Sequence, residues 1–192
     1  MSDKGYVNYL EIFKLQEDCK PGEVRNAYKR LMKDLIFEIS RTQMTPDKRD
    51  RYFLELARHN AAFYILRDNA RRAQYLQDRH AVIELEDEWR AAMESGAENR
   101  EQLRRSYDAA VKHFLARYME ELVFEAGRDP ECVEASGWDA AHERHAERVL
   151  RHYRQRLYHE IHERLPFYQV TKPDIDWDER SRCVLGILAG KG

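Results

Sequence analysis

Residues 20–35 read KPGEVRNAYKRLMKDL, and this stretch indicates the fold class of the chain. Pro21 suits the first turn of a helix, where its missing backbone N–H is not needed. Apolar residues then recur three or four positions apart, which predicts a helix over residues 21–40 with one buried face. The residues expected on that face are Val24, Ala27, Tyr28, Leu31, Leu35 and Ile39.

The other face of this helix is basic. Between residues 20 and 33, five basic side chains accompany a single acid, which makes a strongly positive patch. The candidate partner-binding residues on this face are Arg25, Lys29, Arg30 and Lys33. A solvated helix face is the ordinary role of such a patch, and a dock for an acidic protein is the functional alternative.

Similar spacing, with only 8 Gly and 5 Pro in 192 residues, predicts helices along most of the remaining chain. Thr45, Pro46 and Asp47 are typical of a helix start: an N-cap, a proline at the first position and an acid in the first turn. The further helices are predicted over about residues 6–15, 46–66, 70–77, 81–95, 98–125 and 139–165. The predicted fold class is therefore all-α.

Charge and pattern predict a division at residue 78. Residues 1–78 carry 15 basic and 12 acidic side chains, a net charge of +3, whereas residues 79–192 carry 18 and 23, a net charge of −5. We predict an N-terminal helical domain over residues 1–78. A small helical bundle is predicted over residues 79–165, because helices with single apolar stripes need one another.

The tail, residues 166–192, can dock on the bundle. Asp176 is followed three residues later by Glu179, as in a capping box, which favours a short terminal helix that buries Cys183, Val184, Ile187 and Leu188. The alternative is a strand over residues 183–188, because this run is short and apolar.

Composition and motifs exclude several classes of function. The total charge of −2 argues against nucleic-acid binding through bulk positive charge. No apolar run approaches the ~18 residues of a membrane span, and the N-terminal residues do not resemble a secretory signal. No nucleophile motif, glycine-rich phosphate loop or paired cysteine motif is present. We expect a cytoplasmic, non-enzymatic protein without a cofactor, which binds neither nucleic acid nor membranes.

Five of the eight histidines lie between residues 142 and 162. His145, His152 and His159 recur every seven residues, opposite the apolar stripe, which predicts a solvent-facing row. The metal-ligand candidates are His142 with His145 and His159 with His162, but each pair supplies only two ligands, so we expect no metal site. A pH-responsive or metal-responsive binding surface is the alternative.

Three blocks of sequence resemble the J-domain of DnaJ-like co-chaperones. NYLEIFKL (residues 8–15) resembles its first helix, and the stretch quoted above resembles its second, including Ala27, Tyr28 and Leu31. NAAFYILRDNARRAQYL (residues 60–76) resembles the end of its third helix and the segment after it.

The third block looks most like the J-type co-chaperone of iron–sulfur cluster assembly. Its matching residues are Asn60, Ala62, Phe63, Leu66, Arg67, Arg72, Ala73, Tyr75 and Leu76, and residues 137–141 (GWDAA) resemble the start of that family's last helix. That family carries a client-binding helical bundle after its J-domain, as predicted here for residues 79–165.

This sequence lacks the His-Pro-Asp triplet through which J-domains stimulate the ATPase of their partner chaperone. Counted from Ala27 and Tyr28, the triplet would fall at residues 36–38, which are Ile36, Phe37 and Glu38. Thr45-Pro46-Asp47 resembles a displaced triplet with Thr in place of His, but a helix cap explains these residues without any functional role and is the favoured interpretation.

The resemblance implies that the basic face docks a seventy-kilodalton heat-shock chaperone without activating it. The alternative is that this face binds a different partner. We therefore expect an adaptor made of a degenerate J-like domain and a bundle that binds an unidentified client. An active or atypical co-chaperone, for protein folding or iron–sulfur cluster assembly, is the alternative. The stripes on residues 98–125 and 139–165 can also pair between two chains, which would give a homodimer.

Overall fold

The computed structural model describes residues 7–41, 44–138, 140–165, 181–182 and 185. Most of these residues are helical and none of them lies in a strand, which confirms the all-α fold for the described part of the chain. The helices are α1 (Tyr9–Phe13), α2 (Pro21–Arg41), α3 (Pro46–Leu66), α4 (Asn69–Ser95), α5 (Arg100–Leu115), α6 (Leu122–Ala126), α7 (Pro130–Ser136) and α8 (Ala140–Glu163), with a π-helical turn, Ala116–Glu121, between α5 and α6.

Local signals in the sequence set where several helices begin or end. The Thr45 hydroxyl accepts a hydrogen bond from the Lys48 backbone N–H at 3.4 Å, and the Asp68 carboxylate accepts one from the Arg71 N–H at 2.9 Å. Gly96 ends α4 with φ of 67°, a left-handed conformation that glycine adopts without the steric cost of a Cβ. The predicted starts of α2 at Pro21 and of α3 at Pro46 are both confirmed by the observed helix bounds.

α3 lies at the centre of the compact unit Met1–Ile161, and most of its second half is buried. The ring of Tyr28 from α2 stacks on the ring of Phe63 with 4.1 Å between centroids, and its hydroxyl donates to Asn60 Oδ1 at 2.8 Å. Asn60 donates in turn to Ser136 Oγ of α7 at 3.1 Å. This buried chain fixes how α2, α3 and α7 meet, because a buried polar group without a partner costs about 1–3 kcal/mol.

A second buried network ties the N-terminal residues to the middle of the chain. The Tyr75 hydroxyl of α4 donates to the Val7 carbonyl at 2.6 Å and accepts from the Tyr9 N–H at 3.0 Å. The Tyr9 hydroxyl donates to the carbonyl of Tyr118 in the π-helical turn, and the Tyr118 hydroxyl donates to Asp78. Burial raises the pKa of Tyr9 and Tyr75 above the ordinary value of 10, so both remain protonated donors.

The predicted domain boundary after residue 78 falls inside α4, which is one helix of 27 residues. The helices predicted over residues 70–77 and 81–95 are therefore continuous, since the residues that join them include neither proline nor glycine. The chain divides instead into the compact units Met1–Ile161 and His162–Gly192.

The helix predicted over residues 98–125 is also different in detail. It is interrupted by the π-helical turn Ala116–Glu121, after which α6 continues to Ala126. α7 was not predicted, although Asp129 caps its first turn at 3.1 Å from the Cys132 N–H and Pro130 begins it.

The capping box and most of the apolar run predicted in the tail lie outside the described residues. Residues 181, 182 and 185 are helical, and Leu185 is 64% exposed.

Candidate protein-binding surface

Three cations of α2 are exposed and make no ion pair with the residues that the structure describes: Lys29, Arg30 and Lys33. Successive helix residues are rotated by about 100°, which places these cations on the side opposite the buried Val24 and Tyr28. Elsewhere among the described residues, many exposed lysine and arginine side chains form ion pairs with acids of this chain. The three side chains therefore present positive charge to solvent that no described acid neutralises.

Arg25, the fourth predicted member of the basic face, is engaged within the chain. Its Nε donates to Glu131 Oε1 of α7 at 2.9 Å. Glu131 also accepts from Arg67 at 2.7 Å, and Arg67 pairs with Asp129 as well. The hydrogen bond from Arg25 holds the pKa of Glu131 below its ordinary value of 4.5. Arg25 thus helps to attach α7, and the unpaired patch begins at Lys29.

The positions of the missing triplet lie inside α2, which continues to Arg41. Ile36 is 42% and Phe37 56% exposed, and Glu38 is also exposed. In helical projection the two apolar residues follow the cations on the same side of α2. We call Lys29, Arg30, Lys33, Ile36 and Phe37 the outer face of α2.

Thr45, Pro46 and Asp47 are exposed and start α3. The Thr45 hydroxyl is the N-cap, Pro46 is the first helical residue and Asp47 is the acid of the first turn. This arrangement is the helix cap that the sequence predicts, and it uses the Thr45 hydroxyl as an acceptor for the backbone.

The histidines of α8 occupy two different environments. His152 and His159 are exposed, as the predicted solvent-facing row requires. For His145 that prediction is wrong, because α3 packs against this side of α8. His145 lies 2.7 Å from Asp50 and its ring is 4.6 Å from that of Phe53.

The candidate metal ligands do not assemble into a larger set. His142 packs against the rings of Phe53 and Trp138, at centroid distances of 5.1 and 5.7 Å. Within the described residues no group of three or more His, Cys, Asp or Glu side chains could hold a metal ion.

The structure also contains an acidic groove that the sequence did not predict. Leu31, Leu35 and Ile39, expected in the core, are only partly buried. Leu31 and Leu35 line a groove of about 420 Å³ together with Ile12, Arg58, His59 and the acids Asp34, Glu38 and Glu55. Burial, with help from Arg58, lowers the pKa of His59 to about 4, so its imidazole is neutral at pH 7. The signal that could have indicated this groove is in the sequence: Asp34 and Glu38 are four residues apart, beside Leu31 and Leu35.

The apolar stripes that could pair between two chains are used within this one. Tyr107 and Phe114 of α5, and Leu150 and Leu157 of α8, are buried in the single chain.

No family model, curated protein or solved structure matches this chain. Among the described helices, none combines the length and apolar character that crossing a membrane requires. The likeness to J-domains therefore depends on the residues quoted from the sequence.

Proposed function

We propose that this chain is a non-catalytic adaptor of the J-domain type, which binds a protein partner through the outer face of α2. The supporting observation is that three unpaired cations and two exposed apolar side chains share one side of a single helix. Solvated helix faces commonly carry charge, but two adjacent large apolar residues at 42% and 56% exposure are typical of an interface.

The charged and apolar side chains of this face indicate what kind of surface its partner would present. Lys29, Arg30 and Lys33 would attract an acidic surface and accelerate the encounter, while Ile36 and Phe37 would fill an apolar depression at one end of it. The J-domain resemblance suggests a seventy-kilodalton heat-shock chaperone as this partner. A client would be bound by helices within residues 79–165.

The proposed adaptor docks without activating its partner. Residues 36–38 lack the catalytic triplet, and the Thr45 hydroxyl is engaged in capping α3. The alternative, an active co-chaperone that uses Thr45-Pro46-Asp47, predicts faster ATP hydrolysis by the chaperone. A single-turnover ATPase assay with saturating protein separates the two, since acceleration would contradict the adaptor.

Isothermal titration against the cell's seventy-kilodalton chaperone tests the docking surface. The double variant Lys29→Glu with Arg30→Glu should weaken binding by at least about tenfold, because it reverses two unpaired charges. The matched control is Arg104→Glu with Arg105→Glu, which makes the same charge change on a partly exposed and an exposed residue of α5 that pair with Glu101.

The control should bind within about twofold of the wild type. No binding by the wild type would exclude the chaperone as partner. Equal weakening by both double variants would show that binding depends on overall charge, which would overturn the outer face of α2 as the site.

A further inference from the structure

A second surface with excess positive charge lies in a cleft of about 350 Å³ between α3 and α8. Arg51 comes from α3, and Arg148, His152 and Arg156 come from α8. Asp50 is the only acid in this lining, and it already contacts His145 at 2.7 Å. The volume is at the lower end of the range for ligand sites, about 300–1,000 Å³.

Two other cavities lined by described residues differ from this cleft in how their cations are paired. Between α5 and α8 the lining contains no acid, but Lys112 pairs with Asp108 and Arg154 pairs with Glu120, each at 2.7 Å. Arg51 of the cleft, by contrast, makes no ion pair with a described residue. Near the start of α7, three arginines face three acids. The third cavity, the acidic groove described above, has the opposite sign. The cleft between α3 and α8 is thus distinguished by cations that the fold does not fully neutralise.

The cations of the cleft are available to a ligand. Arg51 makes no ion pair with any residue that the structure describes. Arg148 is 3.5 Å from Asp50, and Arg156 is 2.8 Å from Glu160 on its own helix, but both arginine side chains are at least 70% exposed. Exposed pairs of this kind contribute little stability, so carboxylates of a ligand can replace them.

The spacing of these residues indicates the shape of the ligand. Arg148, His152 and Arg156 are four residues apart, which places them about 6 Å apart along the helix axis and about 12 Å from end to end. Alternate residues of an extended peptide are separated by about 6.6 Å. Carboxylates at alternate positions therefore match the row on α8, whereas one small anion would meet only part of it.

Apolar side chains line the cleft beside the cations. Leu54 of α3 and Val149 and Tyr153 of α8 supply this surface. An extended chain directs alternate side chains to opposite sides, so acidic residues can face the row on α8 while intervening apolar residues contact Leu54 and its neighbours.

We infer that the cleft between α3 and α8 binds an extended segment of a partner protein in which acidic and apolar residues alternate. Arginine suits this role because its planar guanidinium binds carboxylates with two parallel hydrogen bonds. The inference goes beyond the proposed function and does not depend on it, since it uses different helices and a different surface from the outer face of α2.

Fluorescence anisotropy with a labelled peptide of sequence Glu-Leu-Glu-Val-Glu, capped at both ends, tests the cleft. A peptide of the same composition with its three acids contiguous tests the spacing. The double variant Arg51→Ala with Arg156→Ala should weaken binding of the alternating peptide by about tenfold or more. Arg151→Ala, on α8 but outside the cleft and paired with Glu147, is the control for loss of an arginine from the same helix, and this variant should bind within about twofold of wild type.

Four results with the cleft and its control would overturn the inference. They are no binding by the wild type at millimolar peptide, equal binding of the contiguous-acid peptide, equal weakening by Arg151→Ala, and displacement by inorganic phosphate at low millimolar concentration, which would indicate a phosphate site. Lys29→Glu with Arg30→Glu should leave the affinity unchanged. A loss confined to that variant would assign the peptide to the outer face of α2.

Discussion

The two halves of the α2–α3 hairpin both contain recurring apolar residues but lie in different environments. In the inner half, residues 21–32 and 56–66, the buried side chains include Val24, Tyr28 and Phe63. In the outer half, the described residues between 33 and 55 include none that is buried. Apolar residues continue through both halves, so hydrophobicity alone does not distinguish them.

The difference follows from the elements that pack against each half. α1, α6 and α7 surround the inner half, and buried hydrogen bonds such as that between Asn60 and Ser136 join it to them. The outer half of α2 instead carries the unpaired Lys33 and the exposed Ile36 and Phe37. The inner half therefore supplies most of the stability, and the outer half, together with Lys29 and Arg30 on the exposed side of the inner half, provides the surface proposed for binding.

The largest expected difference concerns two phenylalanines of the same hairpin. Phe63→Ala should destabilise the protein by about 3–5 kcal/mol, because it removes a fully buried ring stacked on Tyr28. Phe37→Ala, at a site 56% exposed, should change the free energy of unfolding by less than about 1 kcal/mol. Urea denaturation of both variants measures this, and similar losses would contradict the division into halves.

Two glycines compare the packing of an element beside the inner half with the open start of α2. Gly127 lies between α6 and α7, and a Cβ there would be 2.5 Å from Trp138 Nε1. Gly127→Ala should therefore destabilise the protein by about 1–3 kcal/mol. Gly22→Ala in α2 is the matched control, since no atom lies within 4 Å of its added Cβ.

In thermal unfolding, Gly22→Ala should be neutral or stabilising by up to about 1 kcal/mol, because alanine favours the helix. A Gly127→Ala protein as stable as the wild type would show that Trp138 can move away without cost.

His59, beside the acidic groove, should make stability depend on pH. Its folded-state pKa is about 4 against an ordinary value of 6.5, so below pH 6.5 the unfolded chain binds a proton that the folded chain does not. Stability should therefore fall as the pH decreases from about 6.5 to 4. His59→Gln should remove about 1–2 kcal/mol of this decrease, measured by urea denaturation between pH 7 and pH 5.

His152→Gln, an exposed change on α8, should retain the wild-type dependence on pH. Asp129, which caps α7, affects stability at lower pH. Burial tends to raise the pKa of its carboxyl, but hydrogen bonds from the Cys132 N–H and Arg67 outweigh burial and hold this pKa below its ordinary value of 3.8. Stability from this group is present above pH 3.8 and is lost as the pH falls through its lowered pKa. A dependence between pH 7 and pH 5 that survives in His59→Gln would assign it to another group.

The smallest expected effect concerns the cations of α2. Lys33→Ala should change the free energy of unfolding by less than about 0.5 kcal/mol, because Lys33 makes no ion pair with a described residue. Arg25→Ala breaks the ion pair between Arg25 and Glu131, whose side chains are 48% and 40% exposed, so its cost should be small but larger than that of Lys33→Ala. A larger cost for Lys33→Ala would show that Lys33 contributes to the stability of the folded protein rather than lying on a surface available for binding.

Helix ends were predicted well because their signals are local. Thr45 and Asp68 cap their own first turns, and Gly96 adopts its left-handed conformation within one residue of the helix end. α7 has similar signals in Asp129, Pro130 and Gly137 and was predictable in the same way. The break predicted near residue 78 was based on a change of composition, which does not interrupt a helix.

The exposure of particular faces was predicted less well, because it depends on distant residues. His145 lies opposite the apolar stripe of α8, yet α3 covers it through Asp50 and Phe53. Leu31 and Leu35 continue the apolar pattern of α2, yet they line a groove. Arg25 has the same local character as Lys29, yet Glu131 on the unpredicted α7 engages it.

The sequence by itself determined the all-α class, most helix ends and the basic face of α2, because caps, prolines and periodicity act within one or two turns. Only the tertiary structure decided which cations remain unpaired, which leucines line a groove and which histidines are covered. These outcomes depend on contacts between residues as far apart as Asp50 and His145, whose approach is set by how whole helices pack rather than by any local pattern.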